Sequence, residues 1–114
     1  KIGPGPAPIE TEEGWLLIYH GVWTSCNGYL YYAGGALLDK EEPWKVMYRT
    51  RDYMLAPTEP YERIGDVPNV VFPSSAVVME DGTLRLYYGC ADTCISIAEA
   101  KVTDTVDFIK GHSI

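Results

Sequence analysis

Three polar side chains, Lys1, His20 and Asp92, stand where they could bind a ligand. Lys1 opens the segment KIGPGPAP, whose stiff, turning backbone either aims the ammonium group at an anion or simply connects two units of the fold. His20 ends the apolar run GWLLIYHG, where its ring either contacts a ligand or completes the strand end through hydrogen bonds. Asp92, in YYGCADT, could accept hydrogen bonds from sugar hydroxyls or cap the turn with Thr93.

Aromatic side chains are abundant around these positions and could stack against sugar rings. Most of them alternate along strands, so we expect the majority in the core or on an outer sheet face. No Ser-His-Asp or Cys-His combination can be assembled, and Ser25-Cys26 near His20 is too weak a signal to predict a nucleophile. The aromatic set comprises Trp15, Tyr19, Trp23, Tyr29, Tyr31, Tyr32, Tyr87 and Tyr88.

Composition excludes several classes of function. The 114 residues carry 9 Lys and Arg against 16 Asp and Glu, a net charge of −7, which opposes binding to nucleic acid. No run approaches the roughly 18 apolar residues of a membrane span, and no secretory-type leader opens the chain. Cys26, Cys90 and Cys94 match neither a disulfide framework nor a common zinc pattern, so we expect free thiols, a cytoplasmic location and no metal.

The elements that must position these side chains are predicted to be strands. Stretches with a 3.6-residue apolar period are nearly absent, and Asp81-Gly82 is the strongest hairpin signal, with Glu13-Gly14 a weaker one. Only Thr103–Lys110 predicts a short terminal helix. The predicted strands of this all-β chain are Trp15–Tyr19, Tyr29–Leu38, Lys45–Arg49, Val70–Met79, Leu84–Tyr88 and Cys94–Lys101.

An internal repeat organises these strands. EEGWLLIYHG, residues 12–21, aligns with EDGTLRLYYG, residues 80–89, and five of the ten positions are identical. Each copy follows a proline-containing strand candidate and precedes another apolar strand, so the repeat units span about 1–50 and 65–102. Such a recurring sheet unit is typical of β-propeller blades, and two blades cannot close a ring. The sequence predicts part of a larger propeller; the alternative is another β fold with an accidental internal echo.

Four motifs, in order, resemble glycoside hydrolase family 130. They are KIGPGPAPIETEEGWLLIYHGV, YYAGGALLD, YERIGDVPNVVFPSSAVV and LRLYYGCADTCISIA, which cover nearly the whole chain. The resemblance implies that residues 1–114 are the C-terminal portion of a five-bladed β-propeller catalytic domain with its active site at the central channel. It also implies phosphorolysis of a β-mannoside with inversion, in which phosphate attacks the anomeric carbon and α-mannose 1-phosphate is formed.

The resemblance also assigns site residues. Lys1 and His20 match basic phosphate-binding positions, and Asp92 matches an acid that binds the hydroxyls of the transferred mannose. Tyr31 matches a tyrosine of the acceptor-sugar subsite, and Val67 lies near that subsite. The general acid is expected upstream, so this segment would hold no catalytic residue and would be inactive alone. The implied partners are phosphate as co-substrate, a β-mannoside, the remaining blades and a possible second copy of the protein; no cofactor is expected.

Several alternatives stay open within this resemblance. This chain has YYAGGALLD where many family members have YRLGAALLD, and a longer, insertion-like loop over Trp23–Gly28 resembles enzymes acting on 4-O-β-D-mannosyl-D-glucose more than those acting on mannooligosaccharides. Members that hydrolyse tend to lack the basic pair, so Lys1 and His20 favour a glycosyltransferase-type phosphorylase over a β-mannosidase. A non-catalytic carbohydrate-binding module would instead display its aromatics as an exposed flat patch.

Overall fold

Two antiparallel sheets account for most of the chain in the computed structural model, which describes residues 1–114. The first sheet has the order β1-β3-β4-β5, with β2 also paired to β3, and the second has the order β6-β7-β8. In chain order the elements are β1 (Ile2–Pro4), β2 (Ile9–Thr11), β3 (Gly14–Ser25), β4 (Gly28–Leu38), β5 (Val46–Arg49), α1 (Pro60–Arg63), β6 (Val71–Val78), β7 (Thr83–Cys90), β8 (Cys94–Lys101) and α2 (Val102–Gly111).

The prediction of an all-β chain with a short C-terminal helix is confirmed, and each predicted strand is present. The Asp81-Gly82 hairpin is confirmed too: Asp81 Oδ1 accepts a hydrogen bond from Thr83 N at 3.0 Å, and Gly82 has a φ of 85°. The prediction of a longer loop over Trp23–Gly28 is wrong. β3 and β4 stay paired up to Ser25 and Gly28, so Cys26 and Asn27 alone form the turn.

The N-terminal segment is not a simple connector, because it forms the two short strands β1 and β2. Ile2 pairs with Gly21 and Gly3 with His20, so β1 lies alongside the end of β3. β2 then pairs with the beginning of the same strand. The prolines fit this arrangement because β1 and β2 lie at the edge of the sheet, where a missing backbone N–H disrupts no ladder.

The repeated strands β3 and β7 supply equivalent residues to one core. Leu16 and Leu84, which align in the repeat, are 0% and 5% exposed and lie in the same buried cluster, together with Ile18 and Leu86. Helix α2 adds Ile109, which is fully buried. Burial of these apolar side chains holds the two sheets and the helix together.

Apolar side chains also face outward from the second sheet. Ile95 and Ile97 on β8 are 77% and 51% exposed, and by register they share a face with Gly89 and Tyr87, opposite the face that carries Leu86. The outward face of β8 therefore leaves two isoleucines largely exposed to solvent.

Candidate sugar and phosphate cleft

A cleft of about 390 Å³ opens between the two sheets. It is walled by β4, by the loop before β6, by β6 itself and by the turn after β7. Tyr31, Val67 and Asp92, which were predicted as sugar-binding residues, all line it, although they are far apart in sequence. The full lining consists of Tyr31, Val67, Val70, Phe72, Ser74, Gly89 and Asp92.

Lys1 and His20 lie on the face of the first sheet that carries Tyr31. Backbone pairing sets Lys1 opposite Val22 and Val22 opposite Tyr31, and side chains directly opposite on antiparallel strands share a face. His20 is two residues from Val22 on β3 and so also shares this face. The Lys1 ammonium lies 5.9 Å from the centre of the Tyr29 ring.

The His20 ring is held between aromatic side chains and a glycine. Its centroid lies 4.6 Å from that of Phe72 and 6.0 Å from that of Tyr31, so it borders the cleft. Gly3, its cross-strand partner, leaves the space that the imidazole occupies. Nδ1 of His20 is buried and has no hydrogen-bond partner in the chain. A buried polar atom of this kind costs free energy unless it is paired, so the ring is suited to binding a ligand.

Asp92 lies in a turn of unusual backbone conformation. Asp92 and Ala91 have φ values of 54° and 49°, and Asn69 in the facing loop has 58°; they are the non-glycine residues with positive φ. This left-handed conformation costs an alanine about 1–2 kcal/mol, and such strain tends to cluster at functional sites. Thr93 caps the turn by donating from Oγ1 to Ala91 O at 2.9 Å, while the Asp92 side chain is exposed to the cleft.

The loop of residues 64–70 is tied to both sheets. Asn69 O accepts from Tyr31 N at 2.9 Å on the β4 side. On the other side, Val67 N donates to Ala91 O at 3.2 Å and Val70 O accepts from Ala91 N at 3.0 Å. These backbone bonds bring Tyr31, Val67 and Asp92 to one cleft.

Four lining residues were missed by the sequence analysis, namely Val70, Phe72, Ser74 and Gly89. A β-bulge between Pro73 and Ser75 shifts the register of β6, and Ser74 is the extra residue. Bulges redirect side chains and are common beside binding sites. The sequence signal was the proline in VVFPSS, because proline inside a strand indicates an edge or a bulge.

No group of three or more His, Cys, Asp or Glu side chains could hold a metal ion. No helix is long and apolar enough to cross a membrane. The three cysteines are free, and burial first of all raises the pKa of the Cys90 thiol to about 11, which makes it a poor nucleophile at neutral pH.

Similarity to known proteins agrees with this architecture. The sequence profile of glycoside hydrolase family 130, described as β-1,4-mannooligosaccharide phosphorylase, matches residues 1–111. The chain is 56% identical to the β-1,4-mannooligosaccharide phosphorylase of Ruminococcus albus, over 99% of the chain and 34% of that protein. It is 34% identical to the 4-O-β-D-mannosyl-D-glucose phosphorylase of Bacteroides fragilis, over 95% of the chain and 27% of that protein.

A solved structure shows the same fold. The β-1,2-mannobiose phosphorylase of Listeria innocua, in complex with β-1,2-mannobiose, superposes with a TM-score of 0.88 at 38% identity, over 97% of this chain and 30% of that one. The two sheets are therefore part of a β-propeller. The chain belongs to glycoside hydrolase family 130, and it spans about a third of the length of the relatives it matches.

Proposed function

We propose that the full-length protein carrying this chain is an inverting β-mannoside phosphorylase, and that these residues supply phosphate and sugar contacts. The observation that carries the proposal is the placement of Lys1 and His20 on the sheet face that continues into a cleft lined by Tyr31, Val67 and Asp92. A basic pair beside a polar and aromatic cleft fits an anionic nucleophile held next to a sugar ring.

In this reaction a phosphate oxygen forms a bond to the anomeric carbon while the bond from that carbon to the glycosidic oxygen breaks. The leaving oxygen takes a proton from an acid outside this chain, and the products are α-mannose 1-phosphate and a sugar shortened by one mannose. Lys1 and His20 offset the phosphate charge and orient its attack. Asp92 accepts hydrogen bonds from hydroxyls of the transferred mannose, and Tyr31 and Val67 contact the acceptor.

For the substrate we propose a β-1,4-mannooligosaccharide. The likeness to mannosyl-glucose enzymes depended in part on a longer loop over Trp23–Gly28, but the strands stay paired there up to a turn of only Cys26 and Asn27. The identity of 56% to a mannooligosaccharide phosphorylase, against 34% to a mannosyl-glucose phosphorylase, supports the same choice. A flat aromatic patch is not favoured, because Tyr19 and Tyr88 are buried and the exposed Trp23 and Tyr29 project from opposite faces of the β3–β4 hairpin.

The other partners and the location stay proposals. The exposed face of β8 fits the neighbouring blade of the same protein. Three free thiols are typical of a reducing compartment, which supports a cytoplasmic location.

The test is a phosphorolysis assay on the full-length protein. With β-1,4-mannotriose and inorganic phosphate, we expect α-mannose 1-phosphate and mannobiose; 4-O-β-D-mannosyl-D-glucose in a parallel arm tests the acceptor choice. Release of free mannose at the same rate without phosphate would identify a mannosidase. Binding of the oligosaccharide without turnover under either condition would identify a non-catalytic module.

A further inference from the structure

A buried carboxylate that the proposed mechanism does not use lies behind the cleft. Glu62, on the one-turn helix α1, is 1% exposed and takes part in no ion pair. Its Oε1 accepts from the backbone nitrogens of Thr58 at 3.0 Å and Glu59 at 2.9 Å. Its Oε2 accepts from the Tyr88 hydroxyl at 2.6 Å, across to β7. The carboxylate thus bridges two elements with hydrogen bonds alone.

These hydrogen bonds keep Glu62 ionised at neutral pH. Burial by itself raises the pKa of the carboxyl, but the bonds from Tyr88, Thr58 and Glu59 outweigh it, and the net pKa of Glu62 is lowered. Burial, and then the bond to Glu62, raises the pKa of Tyr88, so the phenol stays a donor. The contact is a short, charge-assisted hydrogen bond.

The bridge stands at the base of the loop that lines the cleft. Glu62 O accepts from Val70 N at 3.1 Å, and Arg63 O accepts from Asn69 N at 3.2 Å, so the end of α1 closes the loop of residues 64–70. The other partner, Tyr88, lies on β7 directly before Gly89, which lines the cleft. The hydrogen bond between Glu62 and Tyr88 therefore joins the start of the loop of residues 64–70, which forms one wall of the cleft, to β7, which leads into the turn that forms another wall.

We propose that Glu62 and Tyr88 are positioning residues that hold the loop of residues 64–70 against the β7–β8 turn, and thereby set the sugar-binding geometry of the cleft. This inference rests on the proposed function. It assigns the Tyr88 position a role distinct from that of its repeat counterpart His20: the second copy of the repeat braces the sugar-binding wall, whereas the first contacts phosphate.

Capping of α1 alone does not account for the arrangement. A helix of four residues gains little from a cap, and a solvent-exposed Glu at the same position would provide it. Burial of a carboxylate without a cation is costly, and it persists where several donors converge on it. Compared with an exposed glutamate, the buried Glu62 carboxylate makes one additional hydrogen bond, the one from Tyr88. This is the only one of its bonds that reaches β7.

The test uses two variants of the full-length protein that change this one bond from either side. Glu62→Gln keeps an oxygen for the Thr58 and Glu59 nitrogens but removes the charge, so that the strong bond from Tyr88 to a carboxylate is replaced at most by a neutral bond from the amide to the phenol oxygen. Tyr88→Phe removes the hydroxyl and leaves the carboxylate in place. Glu99→Gln is the matched control, because it makes the same change at a half-exposed ion pair with Arg85 on the β7–β8 hairpin.

The KM for the oligosaccharide and the KM for phosphate are expected to respond differently. In both variants the KM for the mannooligosaccharide rises by about five- to tenfold, the KM for phosphate stays within about twofold of wild type, and the double variant is no worse than either single one. Glu99→Gln changes neither KM. An unchanged KM for the oligosaccharide, or a parallel rise in both KM values, would overturn the proposal.

Amide hydrogen exchange gives a second readout that does not need activity. We expect faster exchange in peptides covering residues 64–70 and 91–93 of both variants, with β3 and β4 unchanged. If the wild-type protein fails to phosphorolyse any β-mannoside, the proposed function fails and this exchange pattern still decides the positioning role. Unchanged exchange in both segments would contradict the positioning role of Glu62 and Tyr88.

Discussion

Gly3→Ala is the sharpest perturbation of the sheet face proposed to bind phosphate. Gly3 pairs directly with His20, and a methyl group at Gly3 would lie 2.5 Å from His20 Nε2 and closer still to Cε1. The imidazole must therefore move, although Phe72 holds its other side at a centroid separation of 4.6 Å. The Gly3 backbone itself does not need glycine, since its φ lies outside the left-handed region.

The size of the effect follows from these contacts. Forcing a side chain off its rotamer costs about 0.5–1.5 kcal/mol, which sets the expected loss in unfolding free energy. A hydrogen bond to a charged group contributes about 1.5–3 kcal/mol, and losing it from His20 to phosphate raises the phosphate KM about tenfold or more. The KM for the oligosaccharide should stay close to wild type.

Initial rates at varied phosphate and at varied oligosaccharide, measured on the full-length protein, check this expectation. Gly111→Ala is the control, because nothing lies within 4 Å of the added methyl group near the end of α2. A folded Gly3→Ala protein with an unchanged phosphate KM would refute the assignment of His20 to phosphate.

Three further predictions concern other parts of the site. Asp92→Asn keeps a residue that tolerates the left-handed conformation but replaces charged hydrogen bonds with neutral ones, so the oligosaccharide KM should rise about fivefold in the same assay; an unchanged KM would remove Asp92 from the sugar contacts. The lowered pKa of Glu62 contributes stability that is present above its ordinary pKa of 4.5 and is lost as the pH falls through the lower pKa of the folded state. The difference in urea unfolding free energy between wild type and Glu62→Gln should therefore shrink with acidification, and a constant difference would contradict it. Burial raises the pKa of Cys90 to about 11, so mass spectrometry after brief alkylation should find Cys90 modified more slowly than Cys26 and Cys94; equal rates would refute this.

Much of the fold could be predicted from the sequence because local signals agree with the global arrangement. Alternation and turn residues predict β7 and β8 within one or two residues, and the repeat predicts that Leu16 and Leu84 play equivalent parts. The prediction of a longer loop over Trp23–Gly28 was wrong because glycine and polar residues suggest a loop even where cross-strand pairing extends a hairpin. Helix α1 was missed, since a single turn has no apolar period to detect.

The site was less accessible to sequence reasoning. Nothing in local pattern brings Tyr31, Val67 and Asp92 together; their convergence depends on tertiary backbone bonds to the loop of residues 64–70, and only the family resemblance anticipated it. Ser74 was missed because a bulge, which strict alternation does not predict, inserts it as an extra residue into β6. Glu62 was missed because burial of a carboxylate cannot be inferred from a charged residue type.

Phosphate dependence of product formation tests the central claim most directly. The full-length protein is incubated with a β-1,4-mannooligosaccharide with and without inorganic phosphate, and phosphorus NMR follows the sugar phosphate formed. The account predicts α-mannose 1-phosphate with phosphate present and negligible sugar release without it. Free mannose formed at equal rates under both conditions would contradict it.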